Sequence, residues 1–76
     1  MDAMDAKQFI EAVGDCTEFA KTLNNACGIQ VARQNIGYWK YANKIPSRYV
    51  PYIKECALLK GIELTDRDII RITSTY

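Results

Sequence analysis

The side chains that usually perform acid–base, nucleophilic or metal chemistry are scarce in this chain. Histidine, the commonest general base and zinc ligand, is absent. Three cysteines stand at positions 16, 27 and 56. An odd number at these spacings reads neither as a disulfide framework nor as a CxxC metal site. All three read as small buried or half-buried side chains. The carboxylates lie toward the two ends, and no acid–base pair or activated nucleophile can be named. An enzyme is therefore not expected, and no cofactor or metal site is implied.

The charges are more informative than their +1 sum. Between Glu18 and Glu55 stand six basic residues (Lys21, Arg33, Lys40, Lys44, Arg48 and Lys54) and no acidic one. The remainder holds four basic residues and all nine acidic ones. A basic middle between acidic ends can mark a nucleic-acid face, and a solvated helix surface can produce the same pattern. At 76 residues and 8.7 kDa there is room for one small domain, residues 1–76. With 49% hydrophobic and 25% charged residues the composition is that of a folded chain. No apolar run approaches the ~18 residues of a membrane span, and the acidic start lacks the apolar core of a signal peptide. A cytoplasmic protein without membrane association is expected.

These residues need helices to position them. Phe9, Ile10 and Val13 predict a helix from about Asp5 to Val13, stopped by Gly14. A second helix opens at Asp15 or Thr17, where Glu18 follows Asp15 at capping-box spacing. Phe19, Ala20 and Leu23 form its apolar face, and it ends near Asn24-Asn25 or runs to Ala26-Cys27, with Gly28 as a turn. A third helix starts between Gln30 and Ala32 and reaches Tyr41 or Ala42, with Val31, Ile36 and Trp39 on one face. Gly37 inside it marks either a close approach on the outer face or nothing. Pro46 requires a break before the fourth helix, which opens at Ser47. Val50, Ile53, Ala57 and Leu58 face inward there, and Lys60-Gly61 closes it. The last segment, residues 62–76, reads as a short helix from Thr65-Asp66-Arg67-Asp68 followed by an extended tail, although its β-branched residues also suit an edge strand. The expected fold is thus all-α, a bundle of four to five helices. The first three segments, two helices, a turn and a helix holding Trp39, make a helix-turn-helix candidate.

The frame Phe19-Ala20-x-x-Leu23, then Val31-Ala32-Arg33-Gln34-Asn35-Ile36-Gly37-Tyr38-Trp39, then Ile45-Pro46 and Ile53 resembles the Cro-like repressors of temperate phages. The nearest group is the YdaS-type family of prophages. The resemblance spans about two-thirds of the chain, Phe9 to Leu58. It departs from the family in three places. The stretch between Leu23 and Val31 is about six residues longer than the family pattern, so either the second helix is longer or the turn is a loop. Ala32 replaces the Ser or Thr usual at the recognition-helix N-cap. Asn35 and Gly37 stand where the family has a small residue and often a serine.

The resemblance implies a lambda-repressor-like domain that represses transcription by covering a pseudo-palindromic operator as a dimer. It makes Arg33, Gln34 and Tyr38 the base-reading residues, with Asn35 and Gly37 beside them. Arginine pairs bidentately with guanine, and glutamine or asparagine with adenine. Phosphate contacts would come from Lys21, Gln30, Lys40, Lys44 and Arg48, with Tyr41 and Tyr49 as hydroxyl donors. Trp39 is expected in the core. Tyr38, Tyr41, Tyr49 and Tyr52 form either a surface for bases or a protein partner, or half-buried packing. Ile62, Leu64, Ile69, Ile70, Ile72 and Tyr76 either close the core or form a dimer interface. The rival reading is a protein-interaction module or antitoxin, with a toxin or antirepressor as partner.

Overall fold

The computed structural model describes residues 3–73, which form five short helices with no strand. Helix α1 spans Ala6–Val13. Helix α2 spans Asp15–Thr22 and continues into a π-helical turn, Leu23–Cys27. Helix α3 is Arg33–Ala42. A 3₁₀ turn, Ser47–Tyr49, leads into α4, Val50–Leu59, and α5 is Asp66–Thr73. None of the described helices is long and apolar enough to cross a membrane.

Helix α1 is the centre of the bundle. Ala6, Phe9, Ile10 and Val13 recur three and four residues apart, and all are buried. Against this stripe pack α2, α3 and α5. Phe9 meets Phe19 of α2 edge to face, ring centroids 5.5 Å apart. From the other helices come Leu23, Ile36, Ile53, Cys56 and Ile72, all sealed from solvent, together with Trp39 and with Ile45 from the loop after α3. Every buried side-chain nitrogen and oxygen among the described residues has a hydrogen-bond partner. Thr22 and Thr73 meet this need by donating their hydroxyls to the carbonyls of Glu18 and Ile69, one turn back.

The helix ends are set by polar side chains and glycines. Asp5 and Gln8 form a reciprocal capping box on α1, each side chain accepting from the other's backbone N–H. A second box opens α5, where Thr65 and Asp68 exchange the same pair of bonds. The capping box expected at Asp15 and Glu18 does not form. Helix α2 follows α1 after a single residue, Gly14, and leaves no room for one. Gly14 adopts φ +123°, and a Cβ there would lie 2.7 Å from Cγ of Glu18. The Asp15 carboxylate accepts instead from its neighbour, the Cys16 N–H, and Glu18 reaches Lys60. Gly28, at φ +69°, closes the π-helical turn by donating its N–H to the Asn24 carbonyl.

Three inward assignments change, and Val50, half-buried at the start of α4, is one of them. Leu58 is exposed, and Cys56 takes its place: α4 is rolled against the π-helical turn so that Ile53, Cys56 and Ala57 face the core. Val31 precedes α3 and is half-buried in the loop. The cysteines fall as expected: Cys56 is buried, Cys16 and Cys27 half-buried, and all are free thiols. The Cys27 thiol donates to the Tyr52 carbonyl, and burial pushes the Cys56 thiol up to about 12.

The C-terminal segment is helical to Thr73, and it closes the core. Ile72 is fully buried, so it cannot also serve as a dimer contact. Ile62, Leu64 and Ile69 pack half-buried against the core, and only Ile70 of the set is well exposed. Tyr76 lies outside the described residues. Asp68 ties α5 to the start of α1, accepting from the Met4 N–H at 2.7 Å as well as from Thr65.

This arrangement makes Ile72→Ala destabilising by about 2–5 kcal/mol, the usual range for a truncated core aliphatic, while Ile70→Ala changes stability by less than about 0.5 kcal/mol. Urea denaturation of the two variants checks the contrast. A second expectation concerns acid. Two backbone N–H groups hold the Asp68 carboxyl below its ordinary value. A carboxylate depressed in the folded state stabilises fully above its unfolded pKa and loses that contribution as pH falls through the folded one. Asp68→Ala should therefore lower Tm at neutral pH and lower it less under strongly acidic conditions, as thermal melts across pH would show.

Candidate nucleic-acid interface

Helix α3 turns one side into the bundle and the other outward. Ile36 and Trp39 are its buried residues. Arg33 and Gly37 are one turn apart, as are Gln34 and Tyr38, with Tyr41 continuing the row, so these five share the outer side. Arg33 and Gln34 are exposed, as are Tyr38 (70%) and Tyr41 (91%). A Cβ on Gly37 would meet nothing within 4 Å, so no part of the chain approaches closely there. The glycine leaves a low spot in the outer face between Arg33 and Tyr41.

Asn35 sits apart from that row. It lines an open cleft of about 900 Å³ between α2 and α3, together with Lys21, Asn24, Asn25, Gln30 and Ala32. The long stretch after Leu23 resolves both ways: helix α2 is longer by the π-helical turn, and a five-residue loop, 28–32, follows it. That extra turn carries Asn24 and Asn25 to the cleft. By local sequence these two mark only a helix terminus; their amide side chains beside Lys21 are the one local sign of a polar cleft. At the start of α3, Ala32 provides no side-chain cap. Its carbonyl accepts from the N–H groups of Asn35 and Ile36, which leaves the first N–H groups of the helix without such a cap. This end of the helix carries partial positive charge and opens beside Lys21 and Gln30.

The phosphate candidates divide. Lys21, Gln30 and Arg48 are exposed, and Lys44 is half-buried. Lys40 is otherwise engaged. Its ammonium lies 2.9 Å from the Asp15 carboxylate and 3.5 Å from that of Glu11, tying α3 back to α1 and α2. The pairing raises the Lys40 pKa and lowers that of Asp15. Lys40 thus neutralises the acidic end of α1 and is not a free cation of the outer face. Lys60, on the far side, is held in the same way by Glu18 at 3.1 Å. Among the described residues no carboxylate pairs with Lys21, Arg33, Arg48 or Lys54.

Tyr49 is a packing residue more than a donor. Its ring lies 4.8 Å from that of Trp39 and 5.9 Å from that of Tyr52, forming an aromatic ladder from α3 to α4. The Arg48 guanidinium rests over the Tyr49 ring at 5.2 Å, which orients this exposed cation beside the loop that precedes α3. Nothing among the described residues resembles a metal centre: no three Cys, Asp or Glu side chains gather.

The Lys40 contact has a spectroscopic signature. Lys40→Met should move the Asp15 carboxyl titration, followed by NMR, back up toward the ordinary aspartate value, because the lysine is the chief cause of its depression. Compared with known proteins, the chain matches no protein-family model, no curated protein and no solved structure.

Proposed function

We propose that the protein is a sequence-specific DNA-binding transcriptional regulator in which α2 and α3 act as a helix-turn-helix. In this reading it is a repressor of the Cro-like, YdaS-type kind, and it acts as a dimer that covers a pseudo-palindromic operator. The observation that carries the reading is the outer side of α3, where Arg33, Gln34 and Tyr38 stand exposed on a helix whose opposite side is locked into the core. A helix about 10–12 Å across fits the major groove of B-DNA. Arg33 and Gln34 lie in its first turn, where residues of a recognition helix reach base edges. Gly37 allows the helix backbone to approach the groove floor. Lys21, Arg48 and the uncapped start of α3 flank this face and suit phosphates on either side. Lys44 belongs to the same basic stretch. Asn35 would act from the cleft toward α2, alongside Asn24 and Gln30.

One observation favours a second reading. Tyr38 and Tyr41 expose most of their surface side by side, and such aromatic pairs also anchor protein partners. A toxin or antirepressor bound there would make the chain a protein-interaction module or an antitoxin.

Fluorescence anisotropy separates the two. The probes are a duplex from the region flanking the protein's own gene and a scrambled duplex, each titrated at several salt concentrations. A regulator binds the first more tightly, and its affinity falls steeply with salt as counterions are released. Arg33→Ala or Gln34→Ala should each weaken binding to the preferred duplex by about tenfold, the size of one lost bidentate contact, and erase the preference. Lys21→Ala should weaken both duplexes alike and shallow the salt slope. Equal, weak binding to both duplexes by the wild type would overturn the reading.

A further inference from the structure

A second surface lies on the outer side of α4. Leu58 and Leu59 are 76% and 62% exposed, adjacent large aliphatics in a domain whose other leucines are buried or half-buried. Leu58 borders a groove of about 500 Å³ whose floor is formed by Ala57, Ile62, Leu64 and Ile69. Leu59 borders an adjoining hollow of about 390 Å³ with Ala26 and Glu55. Leu58 belongs to both, so the apolar surface is continuous. Lys54 stands one turn before Leu58 on the groove's rim, and Glu63 and Asp66 stand on the same rim. No ion pair among the described residues ties Lys54, Glu63 or Asp66.

We propose that this groove docks a second copy of the chain, across a two-fold axis, with Leu58 of each protomer seated in the groove of the other. The choice of occupant rests on charge. A basic partner would meet Lys54, and an acidic one would meet Glu63 and Asp66. A second copy satisfies both, because in a two-fold contact residue i meets j and j meets i, so each Lys54 faces the partner's Glu63. Shape agrees: each protomer offers both a protruding leucine and a groove of aliphatic floor. The surface differs from the one expected on residues 62–76. Ile72 is withdrawn into the core, Ile62, Leu64 and Ile69 become floor, and Leu58 and Leu59 are the protruding contacts. The inference deepens the dimeric part of the proposed function. It leaves the outer side of α3 out of the contact, free for two half-sites.

The test is sedimentation velocity of the full chain from low to high micromolar concentration, with no DNA present. The expected result is a reversible shift from the 8.7 kDa monomer to twice that mass. Leu58→Asp should weaken self-association by at least about tenfold, as for a truncated interface anchor, while circular dichroism and monomer Tm stay those of the wild type. Lys54→Glu and Glu63→Lys should each impair self-association, since each opposes like charges. An equimolar mixture of these two variants should regain the dimer, because each then faces its opposite. A wild type that stays monomeric throughout overturns the inference, as does a dimer indifferent to Leu58→Asp or a mixture of charge variants that stays monomeric. The proposed function fails separately: a dimer that binds both duplexes weakly would retain this interface and lose the DNA reading, and a monomer that still prefers one duplex would do the reverse.

Discussion

Burial of one stripe of α1 is the constraint on which the rest of the structure depends. Ala6, Phe9, Ile10 and Val13 are all sealed from solvent, and α1 meets three of the four other helices. Phe9, Ile10 and Val13 each contribute about 1.5–3 kcal/mol by burial. In a chain of this size no second core can replace that contribution. The outer side of α3 inherits its orientation from this stripe. Ile36 and Trp39 have to reach the core, and the residues opposite them are thereby turned to solvent.

Polar contacts then remove the freedom that apolar packing leaves. Asn43 is the clearest case. It ends α3 in the left-handed conformation, at φ +60°. Its side-chain oxygen accepts from the Lys7 N–H at 2.9 Å, and its amide donates to Asp5. One residue thus stops α3 and holds its end to the start of α1. Two residues on, the Ile45 N–H donates to the carbonyl of Ile72, so the α3–α4 loop also secures the end of α5. Directional bonds of this sort fix the angle between helices, which non-directional burial alone does not.

The charges are sorted by the same folding. The acidic residues of α1 and α2 draw in Lys40 and Lys60, one from each side. Exposed pairs of this kind contribute little to stability. Their consequence is electrostatic: carboxylates near the basic surface are neutralised, while Lys21, Arg33 and Arg48 keep their charge toward solvent. The aromatic ladder Trp39–Tyr49–Tyr52 adds a rigid support for Arg48 at the edge of that surface.

Local patterns determined the first four helices, their breaks at Gly14, Gly28, Pro46 and Gly61, and the placement of Arg33, Gln34 and Tyr38 opposite Ile36 and Trp39. These follow from local rules: a side chain's face is set by its number along the helix, and a turn by the residues able to make it. The same rules left the last segment open between helix and edge strand, which the structure settles as helix α5. The tertiary structure decided what depends on neighbours distant in sequence. Lys40 is a free cation by its spacing, and only the close approach of α1 and α2 brings Glu11 and Asp15 to it. Leu58 fits an inward pattern as well as Cys56 does. The choice between them depends on how α4 rolls against the π-helical turn, which no local pattern encodes. Ile72 and Ile70 are alike in type and two residues apart; the packing of α5 on α1 buries one and exposes the other. The chain thus states which residues can lie together on one helix, and only the assembled bundle, through contacts between helices, settles which face is covered and which charges stay open.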